Sequence, residues 1–74
     1  MLCCKVKNYL FIIQEDKPEV GAYIHKVDID SKTSLEDYLQ DSVENCIEFA
    51  LEQYNIEPNC WKKCSKKYVN LILN

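Results

Sequence analysis

Residues 34 to 55 constrain the fold more than any other part of the sequence, because they contain neither glycine nor proline. Apolar side chains recur through this segment at spacings of three and four, the period of one helix face; they are Leu35, Leu39, Val43, Cys46, Ile47, Ala50, Leu51 and Tyr54. This pattern predicts one long amphipathic helix. We place its start at a capping box formed by Thr33-Ser34-Leu35-Glu36 and its end near Asn55 and Pro58.

The residues before this helix predict two β-strands. Residues 9–13 are an apolar, aromatic and β-branched run, typical of a strand that is buried on both faces, within an extended stretch that covers 3–14. Residues 20–29 alternate in the same way and predict a second strand. The polar segment between the two contains Pro18 and favours a loop, so an antiparallel hairpin is the simplest pairing.

The tail, residues 59–73, fits two patterns. One helical stripe starts near Asn59 and consists of Trp61, Cys64, Tyr68, Leu71 and Ile72. Residues 68–74 also alternate between apolar and polar side chains, as a strand does. We favour a C-terminal helix because the helical pattern covers more residues, and we keep a third strand as the alternative.

Together these elements predict an α+β fold in one small domain, residues 1–74. An antiparallel β-hairpin is packed by a long amphipathic helix, and a C-terminal helix or third strand follows. A hydrophobic fraction of 47 % with one glycine and two prolines excludes a disordered or collagen-like chain. No apolar run approaches the roughly 18 residues of a membrane span, and the N-terminus does not resemble a signal peptide, so we expect no membrane association.

Cysteine usage predicts the redox state and the compartment. The chain has five cysteines, an odd number, at positions Cys3, Cys4, Cys46, Cys60 and Cys64. An odd count without a leader peptide favours reduced thiols and a cytoplasmic location. Cys46 falls on the apolar stripe of the long helix, where it is most simply a small buried hydrophobe.

A zinc site is the alternative use of the cysteines. If the tail is helical, Cys60 and Cys64 share a face with β-carbons about 6 Å apart, which suits two ligands of one ion and is too long for a disulfide between them. Cys3 and Cys4 are adjacent on a strand and point to opposite faces, so they cannot easily bind the same ion. His25 could complete a mixed site, but no spacing requires it. We therefore predict no metal and no cofactor, and leave metal binding by Cys60 and Cys64 open.

Charge is segregated along the chain. Residues 33–61 hold seven acids and no base, whereas residues 62–74 hold four lysines and no acid. Five of the acids stand three or four residues apart on the predicted helix and form a negative stripe opposite the apolar one: Asp37, Asp41, Glu44, Glu48 and Glu52. We predict that this stripe binds the basic surface of a protein partner, with a homodimer left open. A solvated face of an acidic protein is the competing explanation.

Other functions have weaker support in the sequence. Lys62, Lys63, Lys66 and Lys67 lie between Trp61 and Tyr68 and could bind nucleic acid, but the chain is acidic overall, so we do not expect a nucleic-acid partner. The chain has no glycine-rich phosphate loop, no G-x-S-x-G and no H-E-x-x-H motif. We predict a non-enzymatic binding protein of the inhibitor or modulator kind.

Overall fold

The structure, a computed structural model, describes residues 1–65. In chain order the elements are β1 (Leu2–Val6), β2 (Tyr9–Glu15), β3 (Ala22–Asp28), β4 (Thr33–Gln40), α1 (Val43–Tyr54), a single 3-10 turn (Pro58–Cys60) and β5 (Lys62–Lys63). The α+β class is correct in outline, although most of the described chain is sheet.

One antiparallel sheet contains all five strands, in the order β4-β3-β2-β1-β5. At its centre β2 and β3 pair along all seven residues of each strand. β1 lies on the outer side of β2 and connects to it through a turn at Lys7 and Asn8, where Lys7 has a φ of 55°. The predicted two-stranded hairpin is therefore wrong in strand number, because the stretch 3–14 contains β1, this turn and most of β2.

Residues 33–40 form β4, and the prediction that a helix occupies them is wrong. They pair antiparallel with β3, with a bulge where the register shifts between Lys26 and Val27. Leu35 and Leu39, which a helix would place in the core, are 48 % and 52 % exposed. Their spacing of four resembles a helical stripe, but pairing with β3 satisfies the backbone groups of β4 that face β3 and overrides that local pattern.

A tight turn before β4 explains why the chain returns along β3. The Oδ1 atom of Asp28 accepts hydrogen bonds from the backbone N–H groups of Asp30 (2.9 Å) and Ser31 (3.3 Å). This Asx turn reverses the chain, and Lys32 completes it with a φ of 56°. The predicted capping box is not formed, since the Thr33 hydroxyl donates to the Ser31 carbonyl oxygen instead (3.2 Å).

The helix α1 has twelve residues, so the predicted start at residue 34 is wrong. Its N-cap is Ser42, whose side-chain oxygen accepts a hydrogen bond from the backbone N–H of Asn45 (3.1 Å). Its C-cap is Asn55, in the left-handed conformation, which donates its backbone N–H to the carbonyls of Ala50 and Leu51. No helix within residues 1–65 has the length and apolar character needed to cross a membrane.

Four cysteines form two disulfides, so the prediction of reduced thiols is wrong for them. Cys3 is bonded to Cys64, with Cα atoms 5.1 Å apart, and Cys4 to Cys60, with Cα atoms 5.6 Å apart. Adjacent residues of β1 point to opposite faces, so the two bridges leave this strand on opposite sides of the sheet. Cys46 is free and fully buried, as predicted.

The predicted C-terminal helix is wrong over the residues that the structure describes. Pro58–Cys60 form a single 3-10 turn, and Lys62–Lys63 pair with β1 as the short strand β5. The disulfides join this segment to β1, which favours an extended path over a helix. Residues 66–74, which hold the rest of the predicted helix and the alternative third strand, lie outside the described part of the chain.

Buried side chains lie on both faces of the sheet. Residues 10–13 of β2 are each at most 3 % exposed, which confirms that this strand is buried on both sides. The face under α1 holds the larger cluster, which includes Cys4, Phe11, Ile13, Ala22, Ile24, Cys46, Ala50 and Trp61. The opposite face holds Cys3, Leu10, Ile12 and Val27.

Gly21, the only glycine, fixes the relation between the β2–β3 loop and the end of β4. It has a φ of 113°, a conformation that L side chains rarely adopt. A β-carbon at this position would overlap the carbonyl oxygen of Gln40, the last residue of β4. Glycine is therefore required for both the turn and the close approach, a role that sequence reasoning did not identify.

Candidate partner-binding site

The helix α1 presents three of the five predicted acids on one exposed face. Glu44, Glu48 and Glu52 are four residues apart, and all three side chains are exposed. Residues at this spacing are neighbours on a helix surface, about 6 Å apart between β-carbons. We call these three residues the acidic helix ridge.

Packing of α1 on the sheet fixes the direction in which the ridge points. Cys46 and Ala50 are fully buried against the sheet, and the Cys46 Sγ donates to the Ala22 carbonyl oxygen at 3.6 Å. Phe49 extends the contact to β4, with its ring centroid 5.0 Å from that of Tyr38. The ridge therefore lies on the solvent side of a helix that is capped at both ends and packed on the sheet along its length.

An exposed leucine accompanies the ridge. Leu51 is 38 % exposed and lies three residues after Glu48, so the two side chains are neighbours on the helix surface. The helix pattern in the sequence had assigned Leu51 to the buried stripe, and this assignment is wrong. The exposed face of α1 thus combines carboxylates with an apolar side chain.

The other two predicted acids do not belong to this face. Asp37 lies on β4 and pairs in register with His25, on the sheet face opposite α1. Asp41 is exposed in the connection between β4 and α1. The single stripe of five carboxylates is therefore wrong as a geometry, because residues 33–40 form a strand rather than the start of the helix.

One acid on β4 is compensated within the protein, which distinguishes it from the ridge. Glu36 lies 4.0 Å from the Lys26 ammonium and accepts a hydrogen bond from the Tyr54 hydroxyl at 2.9 Å. Burial, and then this bond to Glu36, raise the pKa of Tyr54. Among residues 1–65 this is the sole ion pair, so no ridge carboxylate has a cationic partner there.

A basic cleft lies at the other edge of the sheet. It has a volume of about 510 Å³ and is lined by three lysines, Lys5, Lys62 and Lys63. The rest of its lining consists of Cys3, Cys4, Leu10, Asn59, Cys60 and Ser65. Lys66 and Lys67, the other members of the predicted lysine cluster, lie outside the described residues. The acidic strand β4 and the basic cleft thus occupy opposite ends of the strand order.

His25 and Cys46, the groups with nucleophilic or acid–base chemistry, lie on different faces of the sheet. His25 is half-buried beside Tyr23, and burial lowers its pKa, while Asp37 partly offsets this. Burial raises the pKa of the Cys46 thiol to about 11, so it is protonated at neutral pH. Residues 1–65 also bring together no group of three potential metal ligands.

Comparison with protein-family models, with curated proteins and with solved structures finds no match to this chain.

Proposed function

We propose that this protein is a small non-enzymatic binding protein, of the inhibitor or modulator type, that docks its acidic helix ridge onto a basic surface of a protein partner. The observation that carries the proposal is the run of three exposed carboxylates at Glu44, Glu48 and Glu52, none of which forms an ion pair within residues 1–65. Like charges four residues apart destabilise a helix by a few tenths of a kcal/mol per pair. An ordinary solvent face mixes charges, so the uniform sign favours a binding role.

The surroundings of the acidic helix ridge support both the electrostatic attraction of a partner and its stable binding. Carboxylates attract a basic surface over a distance of about one Debye length and set its orientation. Leu51, exposed beside Glu48, offers apolar area that a partner could cover. Because α1 is capped at both ends and packed through Cys46 and Ala50, little conformational entropy is lost on binding.

The two disulfides support a site of action in an oxidising compartment. The odd cysteine count had instead favoured the cytoplasm. Disulfides form and persist where the redox potential is oxidising, and small domains use them to supplement a limited core. Titration of free thiols in the unfolded protein tests this point. We expect one reactive thiol per chain, from Cys46, and five would contradict it.

The docking proposal is tested by capture of partners on immobilised protein from an extract of the source cells. The wild type is compared with E44Q/E48Q/E52Q and with a control, E15Q/D16N/E19Q, that removes the same number of charges from the exposed β2–β3 region. We expect a set of proteins that the wild type and the control retain, and that the ridge variant and high salt release. Equal retention on all three proteins would contradict the proposal.

Binding of a polyanion such as nucleic acid is a second candidate, because the basic cleft gathers Lys5, Lys62 and Lys63. Each lysine–phosphate contact releases counterions, so affinity should fall steeply with salt. We compare the binding of a labelled single-stranded oligonucleotide by the wild type, by K5A/K62A/K63A and by a control, K17A/K32A. Loss of binding in the triple variant alone supports this candidate, and equal binding by all three contradicts it.

The zinc alternative requires thiolates where the structure has disulfides. Cys60 and Cys64 are bonded to Cys4 and Cys3, so neither is available as a ligand in the oxidised protein. Native mass spectrometry of the reduced protein with zinc tests it directly. A one-to-one zinc complex that is lost in C60S/C64S would support the alternative.

A further inference from the structure

The strand β4 presents a long free edge. It has eight residues and lies at the end of the sheet, paired on one side with β3. Its outward-facing backbone N–H and C=O groups have no strand partner among residues 1–65. Natural proteins usually protect such an edge with lysine or proline, because an open edge invites another strand. β4 contains neither residue.

Apolar side chains are exposed along the same strand. Leu35, Tyr38 and Leu39 are 48 %, 41 % and 52 % exposed, and they account for half of the six exposed large hydrophobic residues within the described chain. Leu39 pairs in register with Tyr23 on the face opposite α1, so the two form a shared apolar surface beside the edge. An edge of this kind combines backbone groups and side chains that a partner could cover.

The charge of β4 indicates what kind of strand fits it. Glu36 is compensated by Lys26, but Asp37 has no cation within ion-pair distance in residues 1–65. Asp37 lies on the same face as Leu39, two residues away, and its neighbour across the ladder is His25. Burial disfavours the charged form of His25, so it does not compensate Asp37.

We propose that β4 accepts an extended segment of a partner protein as a sixth strand, with a lysine or arginine of that segment facing Asp37 and apolar residues packing on Leu39 and Tyr23. Main-chain hydrogen bonds would provide affinity, and the alternating side chains would provide specificity. The β-bulge limits the regular part of β4 to residues 36–40, so the pairing covers about five residues.

This inference goes beyond the docking of the acidic helix ridge, because it uses a different surface and a different mode of recognition. Asp37 and Leu39 lie on the sheet face opposite α1. A second copy of this chain is a poorer occupant than a basic segment. Antiparallel pairing of two copies over residues 36–40 would set Asp37 opposite Leu39 of the other copy, so both Asp37 carboxylates would remain without a cation.

The test uses the intact, disulfide-bonded protein and a synthetic peptide, acetyl-Thr-Val-Thr-Lys-Thr-Val-Thr-amide. Its valines and its lysine share one face of a strand. Titration followed by the amide NMR spectrum of ¹⁵N-labelled protein locates the contact. We expect shifts at residues 36–40 and at the adjacent residues of β3, with no comparable shifts in α1.

Two control peptides separate strand addition from general charge attraction. The first replaces lysine by glutamate, and we expect at least tenfold weaker binding to the wild type. The second keeps the lysine but carries N-methyl groups on the alternate amides that would donate to β4, and we expect its binding to be lost. Equal binding of the N-methylated peptide would overturn the proposal, because no ladder could then form.

Three protein variants complete the test. Asp37→Lys, at an exposed position, should reverse the preference, so that the glutamate peptide binds more tightly than the lysine peptide. Asp37→Asn, a smaller change, should reduce the preference to about equal affinity. E44Q/E48Q/E52Q should keep its peptide affinity within twofold, so failure of the ridge proposal and failure of this one are distinguishable.

Three further outcomes would overturn the proposal. One is the absence of shifts at β4 with several millimolar peptide. Another is a set of shifts confined to α1, which would assign the basic segment to the acidic helix ridge. The third is a dimer of the free protein with residues 36–40 protected from hydrogen exchange, which would show that a second copy occupies the edge.

Discussion

The two edges of the sheet differ in length, charge and covalent connection. β5 has two residues, both lysines, and the segment around it is joined to β1 by Cys4–Cys60 and Cys3–Cys64. β4 has eight residues, exposed leucines and an uncompensated Asp37, and the part of the chain that contains it has no covalent cross-link. Lysine and brevity protect the first edge from other strands, whereas the second is protected only by its bulge and by the acids Glu36 and Asp37.

This difference shows how a small domain can divide stability and recognition between its two ends. Seventy-four residues bury a limited apolar core, so a cross-link contributes a large fraction of the stability. With the β1–β5 end closed by disulfides, the β4 end can keep exposed leucines without loss of the fold. The β4 edge thus lies at the end without a cross-link, whereas α1, which carries the acidic helix ridge, packs across β2, β3 and β4.

The largest expected effect comes from removal of the disulfides. Each bridge closes a loop of more than 50 residues, with separations of 61 and 56. Removal of one bridge by C4S/C60S should cost about 2 kcal/mol of unfolding free energy, because the other still closes almost the same loop. Removal of both should cost about 6 kcal/mol, as much as the total stability of many domains of this size.

Urea unfolding of the oxidised protein, of each double variant and of the quadruple variant measures these values. A second measurement, on the wild type with and without dithiothreitol, needs no substitution. We expect reduction to lower the urea midpoint strongly. An unchanged midpoint would show that the bridges do not contribute to the stability of the fold. The two edges would then differ in length and charge but not in covalent stabilisation.

A substitution at Gly21 should loosen the β4 end without any change at the disulfides. Gly21→Ala places a β-carbon on the Gln40 carbonyl and requires a φ of 113° from a residue with a side chain, so we expect a loss of about 3 kcal/mol. Glu19→Ala, in the same loop, is the matched control and should be neutral. In this variant, amide hydrogen exchange should be faster at residues 38–40 than at β1. Equal exchange at both ends would contradict the role of Gly21 in holding the end of β4.

A pH dependence should also originate at the β4 end. Burial lowers the pKa of His25 from 6.5, and Asp37 partly offsets this. The unfolded state then binds a proton more readily than the folded state, so stability should decrease as the pH falls through 6.5 and below, and should not change from this source above that value. His25→Gln should remove this part of the pH dependence in urea unfolding at a series of pH values.

Asp37 provides an internal check on this assignment. Its carboxylate favours the charged form of the histidine, so Asp37→Asn should lower the pKa of His25 further. An NMR titration of the single histidine measures the change. If the pKa of His25 rose or stayed the same in this variant, the register of β3 with β4 would be in question.

The sequence predicts the centre of this fold better than its edges. Residues 9–13 have the composition of a buried strand, and each face of the sheet is apolar there, so the prediction needs only local information. The spacing of Leu35 and Leu39 fits a helix as well as a strand. Only the turn at Asp28 and the non-local pairing with β3 decide between them, and local periodicity does not contain that pairing.

The candidate site, too, was predicted correctly only where local sequence pattern is sufficient. Glu44, Glu48 and Glu52 were identified correctly as one face because they lie within the true helix. The sequence pattern assigns Asp37 and Asp41 to that face because it starts the helix at Thr33, whereas the N-cap in the structure is Ser42. The odd cysteine count favours reduced thiols, but one buried free thiol, Cys46, accounts for the odd number and leaves four cysteines to form two disulfides.

The smallest expected effect separates stability from recognition on the acidic helix ridge itself. Glu52→Lys puts a cation in the last turn of α1, which has no basic residue, and forms a pair with Glu48 one turn before it. Both changes favour the helix, through its dipole and through the i,i+4 pair, so we expect a gain of about 0.5 kcal/mol in unfolding free energy. The same substitution should weaken retention of partners, because it reverses one of three charges.

Glu57→Lys, outside the helix, makes the same charge change as a control and should leave both the unfolding free energy and partner retention nearly unchanged. If Glu52→Lys lowered the unfolding free energy, the Glu52 carboxylate would be making stabilising contacts within the folded protein. The acidic helix ridge would then have a structural role, and the basis for a docking role would be lost.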